Sequence, residues 1–143
     1  MSRAPRAATR VVLIAVGATL AVLAIGAVSL HRYQQDNARA DLTAAGASVA
    51  IAVDNMASLG NTSPATIIAA STGEKGTLTL RVHAVGTTFE ARPVPTPTIT
   101  ASVNAGAHTI TLTSGRCHVS VTGSTTSARA AAAPTTAGPL VCS

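Results

Sequence analysis

The chain has 143 residues, of which 10% are charged and 1% are aromatic, and its formal net charge is +5 at pH 7. This length excludes an arrangement of several large domains, and the two aromatic residues exclude a nucleic-acid surface built from rows of stacking rings. Three of the ten basic residues precede position 11, and from His31 onward seven basic and five acidic residues leave a net charge of only +2. We therefore expect no nucleic-acid partner.

Residues 11–30 form an apolar segment of twenty residues without a charge, Pro, Asn or Gln. A helix of this length spans about 30 Å, the thickness of the hydrocarbon core of a bilayer. The segment follows a basic leader, residues 1–10, that carries three arginines and no acidic residue, whereas only Arg32 and Arg39 follow it closely. The sequence therefore predicts a single-pass transmembrane helix with a cytoplasmic amino terminus and an extracytoplasmic carboxy-terminal domain.

A cleavable signal peptide is the alternative interpretation of the same segment. Ala27 and Ser29 are small residues at the spacing that a signal peptidase reads, so cleavage after Ser29 would release a small secreted protein. The apolar core of a signal peptide usually has about 7–15 residues, and this segment is longer. The length favours an anchor that is uncleaved or that loses only its leader, and both interpretations place the rest of the chain outside the membrane.

The helical signals continue past the apolar segment to Leu59. No Pro lies between Arg6 and Pro64, and Gly60 with Asn61 is typical of a helix end. Residues 31–60 are therefore predicted to form an amphipathic extension of the helix. Its apolar positions recur at intervals of three and four and form one seam, in which Leu42, Val49 and Met56 are the main members and Ala45, Ala52 and Leu59 complete the pattern.

Beyond this helix the periodicity changes from helical to alternating. Apolar residues alternate with polar ones in residues 77–85, 99–103, 110–112 and 117–121. These four segments, separated by turn signals, predict a four-stranded antiparallel sheet within residues 61–122, and Thr87 to Ala91 are a candidate for one further short strand. The predicted fold is α+β, a long helix packed on a small antiparallel sheet, because each must bury one apolar face.

Cys117 and Cys142 are the only cysteines. About ninety residues remain for the folded domain, and a domain of that size is marginally stable without a cross-link. In an oxidising compartment we expect the two cysteines to form a disulfide that holds the low-complexity tail, residues 123–143, against the last strand. Two free thiols are the alternative.

This arrangement resembles the type IV pilins and the related pseudopilins of secretion systems. The resemblance rests on the basic leader, the apolar helix with its amphipathic extension, the antiparallel sheet and the cysteine-closed carboxy-terminal loop. Arg10 stands where the family usually has Gly, and Ala15 stands where it usually has Glu. The resemblance implies a structural subunit of an envelope or surface assembly.

In such an assembly the apolar helices pack side by side, and small residues permit close approach. The candidate assembly residues on the helix are Gly17, Ala21, Ala24 and Gly26. The same residues also fit a plain alanine-rich anchor. Self-association or binding to other envelope and secretion proteins, together with the membrane itself, are the expected partners.

Two other structural functions fit the same pattern. An anchored binding or accessory module would use the polar sheet face or the tail to contact another envelope protein. Alternatively, the seam of residues 42–59 would pair with a helix of another protein as a short coiled coil.

Catalytic motifs are absent from the sequence. Four histidines, two cysteines and five acidic residues are present, but none lies in a motif for a nucleophile, a phosphate loop or a metal site. A metal site formed by His83 and His118 on the polar sheet face is the only cofactor alternative, and Cys117 would point to the opposite face from its neighbour His118. We expect no enzymatic activity, no cofactor and no small-molecule substrate.

Overall fold

The computed structural model describes residues 5–94, 96–127 and 135–143, with side chains described from residue 20 onward. The chain divides into two compact units, Met1–Asn37 and Ala38–Ser143. In the first unit the described residues are helical throughout. The second unit combines the rest of that helix with a short second helix and antiparallel strands, so its fold is α+β, as the sequence predicts.

Helix α1 runs from Pro5 to Gly60 without interruption. At its carboxy-terminal end Asn61 adopts a left-handed conformation with φ 49°, and the N–H of Thr62 donates to the carbonyl of Ala57 at 2.9 Å. This is a Schellman arrangement, which satisfies carbonyls at the helix end. The predicted stop at Gly60 and Asn61 is therefore confirmed.

The part of α1 in the second unit packs on the strands through one stripe. Leu42, Val49 and Met56 of the predicted seam are all buried. The stripe drifts, however, so that Val53 is fully buried while Leu59 is 49% exposed. A straight α-helix has about 3.6 residues per turn, so a seam spaced at about 3.5 residues rotates out of a fixed contact over several turns.

A short second helix, α2, follows from Pro64 to Ala69. The side chain of Ser63 caps it by accepting from the N–H of Thr66 at 3.3 Å. Pro64, which the sequence indicates as the limit of the preceding helix, also occupies the first turn of α2. The two isoleucines of α2, Ile67 and Ile68, are buried.

The described residues form eight strands in two antiparallel sheets, not the predicted four strands in one sheet. The first sheet has the order β1-β2-β3, and in the second β4-β5-β6-β7 are neighbours while β8 also pairs with β6. The strands are β1 (Thr72–Glu74), β2 (Thr77–Ala84), β3 (Thr87–Ala91), β4 (Thr100–Asn104), β5 (Thr109–Ser114), β6 (Cys117–Thr122), β7 (Thr136–Ala137) and β8 (Val141–Cys142).

The two sheets meet where β1 lies against β4. A bridge joins Lys75 to Thr100, and the N–H of Gly76 donates to the carbonyl of Ile99 at 2.7 Å. A Cβ atom on Gly73 would lie 2.6 Å from the carbonyl oxygen of Ala101, so only glycine fits between these strands without a shift of the backbone.

The core lies between the helices and the inner faces of both sheets. Gly46 brings α1 close to the centre of β6, because a Cβ atom there would lie 2.7 Å from Cγ1 of Val119. Among the apolar positions of the seam and of the alternating segments, the following seven are buried and form the centre of the core: Val49, Met56, Leu80, Val82, Ile110, Leu112 and Val119. Val53, Ile67, Ile68 and Val94 join them.

Candidate functional site

The apolar part of α1 exposes large side chains on all sides in the first unit. Among the described residues, α1 is the one helix that is long and apolar enough to cross a membrane, and this segment is its apolar part. Leu20 is 61% exposed and Tyr33 is 64% exposed. Between them the exposed large residues are Val22, Leu23, Ile25, Val28 and Leu30. A helix that is apolar around its whole circumference requires an apolar environment, either lipid or other helices.

The small residues of this segment do not all share one face. Successive residues of an α-helix are rotated by about 100°, which places Gly17, Ala21 and Ala24 within one narrow sector and Gly26 on the opposite side. Ala21 and Ala24 are exposed, and no atom lies within 4 Å of a Cβ built on Gly26. The backbone of Gly17 is helical, and the surroundings of that residue lie outside the described side chains. The four predicted assembly residues therefore define two surfaces and not one.

A shallow depression of about 390 Å³ lies along the last turns of the apolar segment. It is lined by Ala24, Ile25, Val28, Ser29 and Arg32. Directly after the apolar segment, the side chains of His31 and Gln35, one helical turn apart, form a hydrogen bond of 2.8 Å. The sequence thus changes from apolar to polar within two turns, which is the pattern of a helix that crosses from hydrocarbon into the interface.

At the other end of the chain, a disulfide joins Cys117 to Cys142, as predicted. The two cysteines are opposite each other in the pairing of β6 with β8, and His118 is opposite Val141. The N–H of Ser143 donates to the carbonyl of Arg116 at 3.1 Å. The disulfide therefore cross-links two strands that are already paired, and it encloses a sequence separation of 25 residues.

The tail makes more ordered contacts than its composition predicts. The carboxylate of Asp54 on α1 accepts from the N–H of Thr135 at 3.0 and 3.2 Å and also from its hydroxyl. Thr135 is 7% exposed. The next residues form β7, and the N–H of Gly138 donates to the carbonyl of Ser120 at 2.7 Å. Asp54 lies off the apolar seam of α1, where a charge is expected to face solvent, and the structure gives it this partner in the tail.

The outer face of β4, β5 and β6 forms a regular polar surface. The register aligns its side chains in three rows across the strands. Five threonines, two serines, one asparagine and one histidine occupy it, without an acidic residue, lysine or arginine: Thr100, Ser102, Asn104, Thr109, Thr111, Thr113, His118, Ser120 and Thr122.

The histidines do not form a common site. His83 lies on β2 and His118 on β6, which belong to different sheets, so the expected neighbouring strands are not neighbours. His83 shares a hydrogen bond of 3.3 Å with the hydroxyl of Thr88. His108 adopts φ 52° in the turn before β5, and its Nδ1 is buried without a hydrogen-bond partner among the described residues. Within the described part of the chain, no three His, Cys, Asp or Glu side chains form a group that could hold a metal ion.

The fold and these surfaces define the chain as an α+β protein with a long amino-terminal helix and a disulfide-closed carboxy terminus. No family model, curated protein or solved structure matches it.

Proposed function

We propose that this protein is a structural subunit of an envelope or surface assembly, anchored in the membrane by α1 and similar in plan to the type IV pilins. Its amino terminus lies in the cytoplasm, and the unit Ala38–Ser143 lies outside the membrane. Copies pack through the apolar part of α1, and the sheets face outward.

The observation that carries this proposal is the continuity of α1 across the boundary between the two units. An apolar helix with exposed Leu20, Leu23 and Ile25 continues without a break into the helix that buries Leu42 and Val49. A cleaved signal peptide does not need to be continuous with a core helix of the mature domain. A helix that is apolar in its first part and packs in the core of the domain in its second part suits an anchor or an assembly helix of this plan.

The disulfide also supports export. Disulfides persist in oxidising compartments and are rare in the cytosol, so the pair Cys117 and Cys142 fits a domain outside the membrane. The three arginines of the leader and the sparse positive charge after the apolar segment support the same orientation.

The amino terminus of the mature protein tests the proposal. The protein is recovered from the envelope and from the culture supernatant of its native host, and its intact mass and amino-terminal sequence are determined. We expect a membrane-associated protein that begins at or near Val11. A start near Leu30 in the supernatant would overturn the proposal in favour of a small secreted protein.

An anchored binding module is the second candidate, and the outer face of β4, β5 and β6 favours it. A face with seven hydroxyl side chains and no acidic residue, lysine or arginine suits a partner of neutral, hydrogen-bonding character. In this case the leader stays unprocessed and the copies do not associate through the helix.

A further inference from the structure

Strand β3 is an edge strand of the first sheet, and a two-residue turn joins it to β2. Val85 and Gly86 form this turn with φ 52° and 76°, which are the values of a type I′ hairpin. In such a hairpin the flanking residues, Ala84 and Thr87, exchange both backbone hydrogen bonds.

Bonded and non-bonded pairs then alternate along the ladder. The backbone groups of Thr87, Phe89 and Ala91 point toward β2, and those of Thr88 and Glu90 point away from it. Among the strands that the structure describes, β2 is the only neighbour of β3. Within the described part of the chain, the backbone N–H and carbonyl groups of Thr88 and Glu90 therefore form an open edge.

This edge carries one charged residue, Glu90, but lacks three other features by which proteins block sheet edges, namely a bulge, a lysine and a proline. The register of β3 on β2 is continuous and has no bulge, and the strand contains neither Lys nor Pro. The opposite end of the second sheet differs, because there β6 is covered by two very short strands and the disulfide.

Phe89 is an unusual residue for an open edge. It is opposite Val82, which faces the core, yet it remains 38% exposed. It is the only Phe of the chain and the only aromatic residue in the second unit. A further strand beside β3 would cover its ring.

We propose that β3 pairs with β3 of a second copy, antiparallel and about a two-fold axis through Phe89. Thr88 of each copy then lies opposite Glu90 of the other, and the four residues exchange four backbone hydrogen bonds. The two Phe89 rings face each other across a non-hydrogen-bonded pair, where side chains approach most closely.

The side chains favour this register over a register centred on Glu90. A two-fold axis through Glu90 would oppose the two Glu90 carboxylates, which destabilises a pair of strands. The register about Phe89 avoids that contact and leaves the ion pair within each hairpin intact, in which Arg81 Nε donates to Glu90 Oε1 at 2.9 Å. In this register β3 is complementary to itself, because a Thr88–Glu90 pair flanks the Phe89 pair on either side, and the proposed anchoring in one membrane supplies the second copy.

Strands of five residues bury little area, so this interface is weak in free solution. The pairing rests on the proposed function in one respect. Anchoring of the copies in one membrane raises their effective concentration, which a weak interface needs. The contact itself depends on β3 alone.

Disulfide trapping in membranes tests the pairing. Since the described cysteines are both in the native disulfide, one introduced cysteine gives one reactive thiol. The full chain with Phe89→Cys is expressed in membranes and oxidised, and dimer is measured on a non-reducing gel. We expect a strong Phe89→Cys dimer, and also a dimer between copies carrying Thr88→Cys and copies carrying Glu90→Cys.

The matched control is Val85→Cys, because Val85 lies on the same hairpin and is fully exposed. In the proposed register the two Val85 residues are separated by about 26 Å along the strands, so this variant should give little dimer. Thr88→Pro combined with Phe89→Cys removes an outward N–H without removing a bond to β2, and it should reduce the dimer several-fold.

Equal dimer formation by the Val85 and Phe89 variants would indicate random collision and overturn the pairing. So would the absence of dimer from both Phe89→Cys and the mixed Thr88 and Glu90 pair. Retention of each variant in the membrane after carbonate washing is measured in the same samples. If Phe89→Cys and the mixed Thr88→Cys and Glu90→Cys copies stay in the membrane without forming a dimer, the β3 pairing is overturned and the proposed anchor remains in place.

Discussion

At the scale of single residues, Gly46 determines how closely α1 approaches β6. A helix glycine normally reduces stability, because it costs about 1 kcal/mol relative to Ala. Here the missing side chain leaves the space that Val119 fills, and Val119 is 1% exposed. Its branched side chain has little freedom to move aside. Gly46 is unfavourable for an isolated helix, but in the folded protein it allows α1 to pack closely against Val119 of β6.

Gly46→Ala should therefore destabilise the protein, although Ala favours a helix. Overpacking a core costs about 1–3 kcal/mol, which exceeds the helix-propensity gain of about 1 kcal/mol. The free energy of unfolding of the full chain in detergent, followed by far-UV circular dichroism in denaturant, measures the difference.

Gly26→Ala is the matched control, because a Cβ atom at Gly26 meets no atom within 4 Å. This variant should unfold at the same denaturant concentration as the wild type or at a slightly higher one. If Gly46→Ala were as stable as Gly26→Ala, the close packing of α1 on β6 would be contradicted.

At the scale of secondary-structure elements, the reliability of the sequence patterns depends on length. Strand β2 alternates over eight residues, so period-two burial identifies it at once. Strands β7 and β8 have two residues each, which is too few for any alternation. Pairing with β6 holds both strands in place, and the disulfide also holds β8. The location of these two strands is therefore determined by contacts between residues that are distant in the chain, and local pattern does not predict it.

The disulfide between β6 and β8 should contribute to the stability of the second sheet. Cys117→Ser removes a cross-link that closes a loop with a sequence separation of 25 residues. In the chain-entropy model such a loss costs about 3 kcal/mol. The melting temperature of the variant under non-reducing conditions should fall accordingly.

The variant with both Cys117→Ser and Cys142→Ser controls for a free thiol, and it should match the single variant. Wild-type protein in reductant should show the same decrease. An unchanged melting temperature in the single variant would contradict a stabilising role for the cross-link.

At the scale of the whole molecule, the sequence predicts the class of fold and most of the core, and it predicts the candidate site only in part. Hydrophobic periodicity is a local property, so Leu42, Val49 and Leu80 are found by pattern alone. The contact of Asp54 with Thr135 spans 81 residues, and no local signal indicates it. The separation of Gly26 from Ala21 and Ala24 follows from helix geometry.

The proposed association of copies should depend on the helix face that carries Ala21. Ala21→Leu places a large side chain where small residues permit close approach, and it preserves the apolar character of the segment. Two differently tagged copies are expressed together and purified from mild detergent. We expect copurification of wild-type copies and a clear decrease for Ala21→Leu.

Gly26→Leu makes the same change of size on the opposite side of the helix and serves as the control. It should leave copurification close to the wild-type level. Equal decreases for both variants would contradict a single association face on α1.

The location of Tyr33 has a practical consequence for optical measurements. The chain has one Tyr and no Trp, so almost all of its near-ultraviolet absorbance and its emission come from this residue. Tyr33 belongs to the first unit and is 64% exposed, just beyond the apolar segment. Unfolding of the sheets is therefore nearly silent in intrinsic fluorescence. Conversely, a change in the intensity of this emission reports an event at the end of the apolar segment, so the unmodified protein carries its own probe at that position.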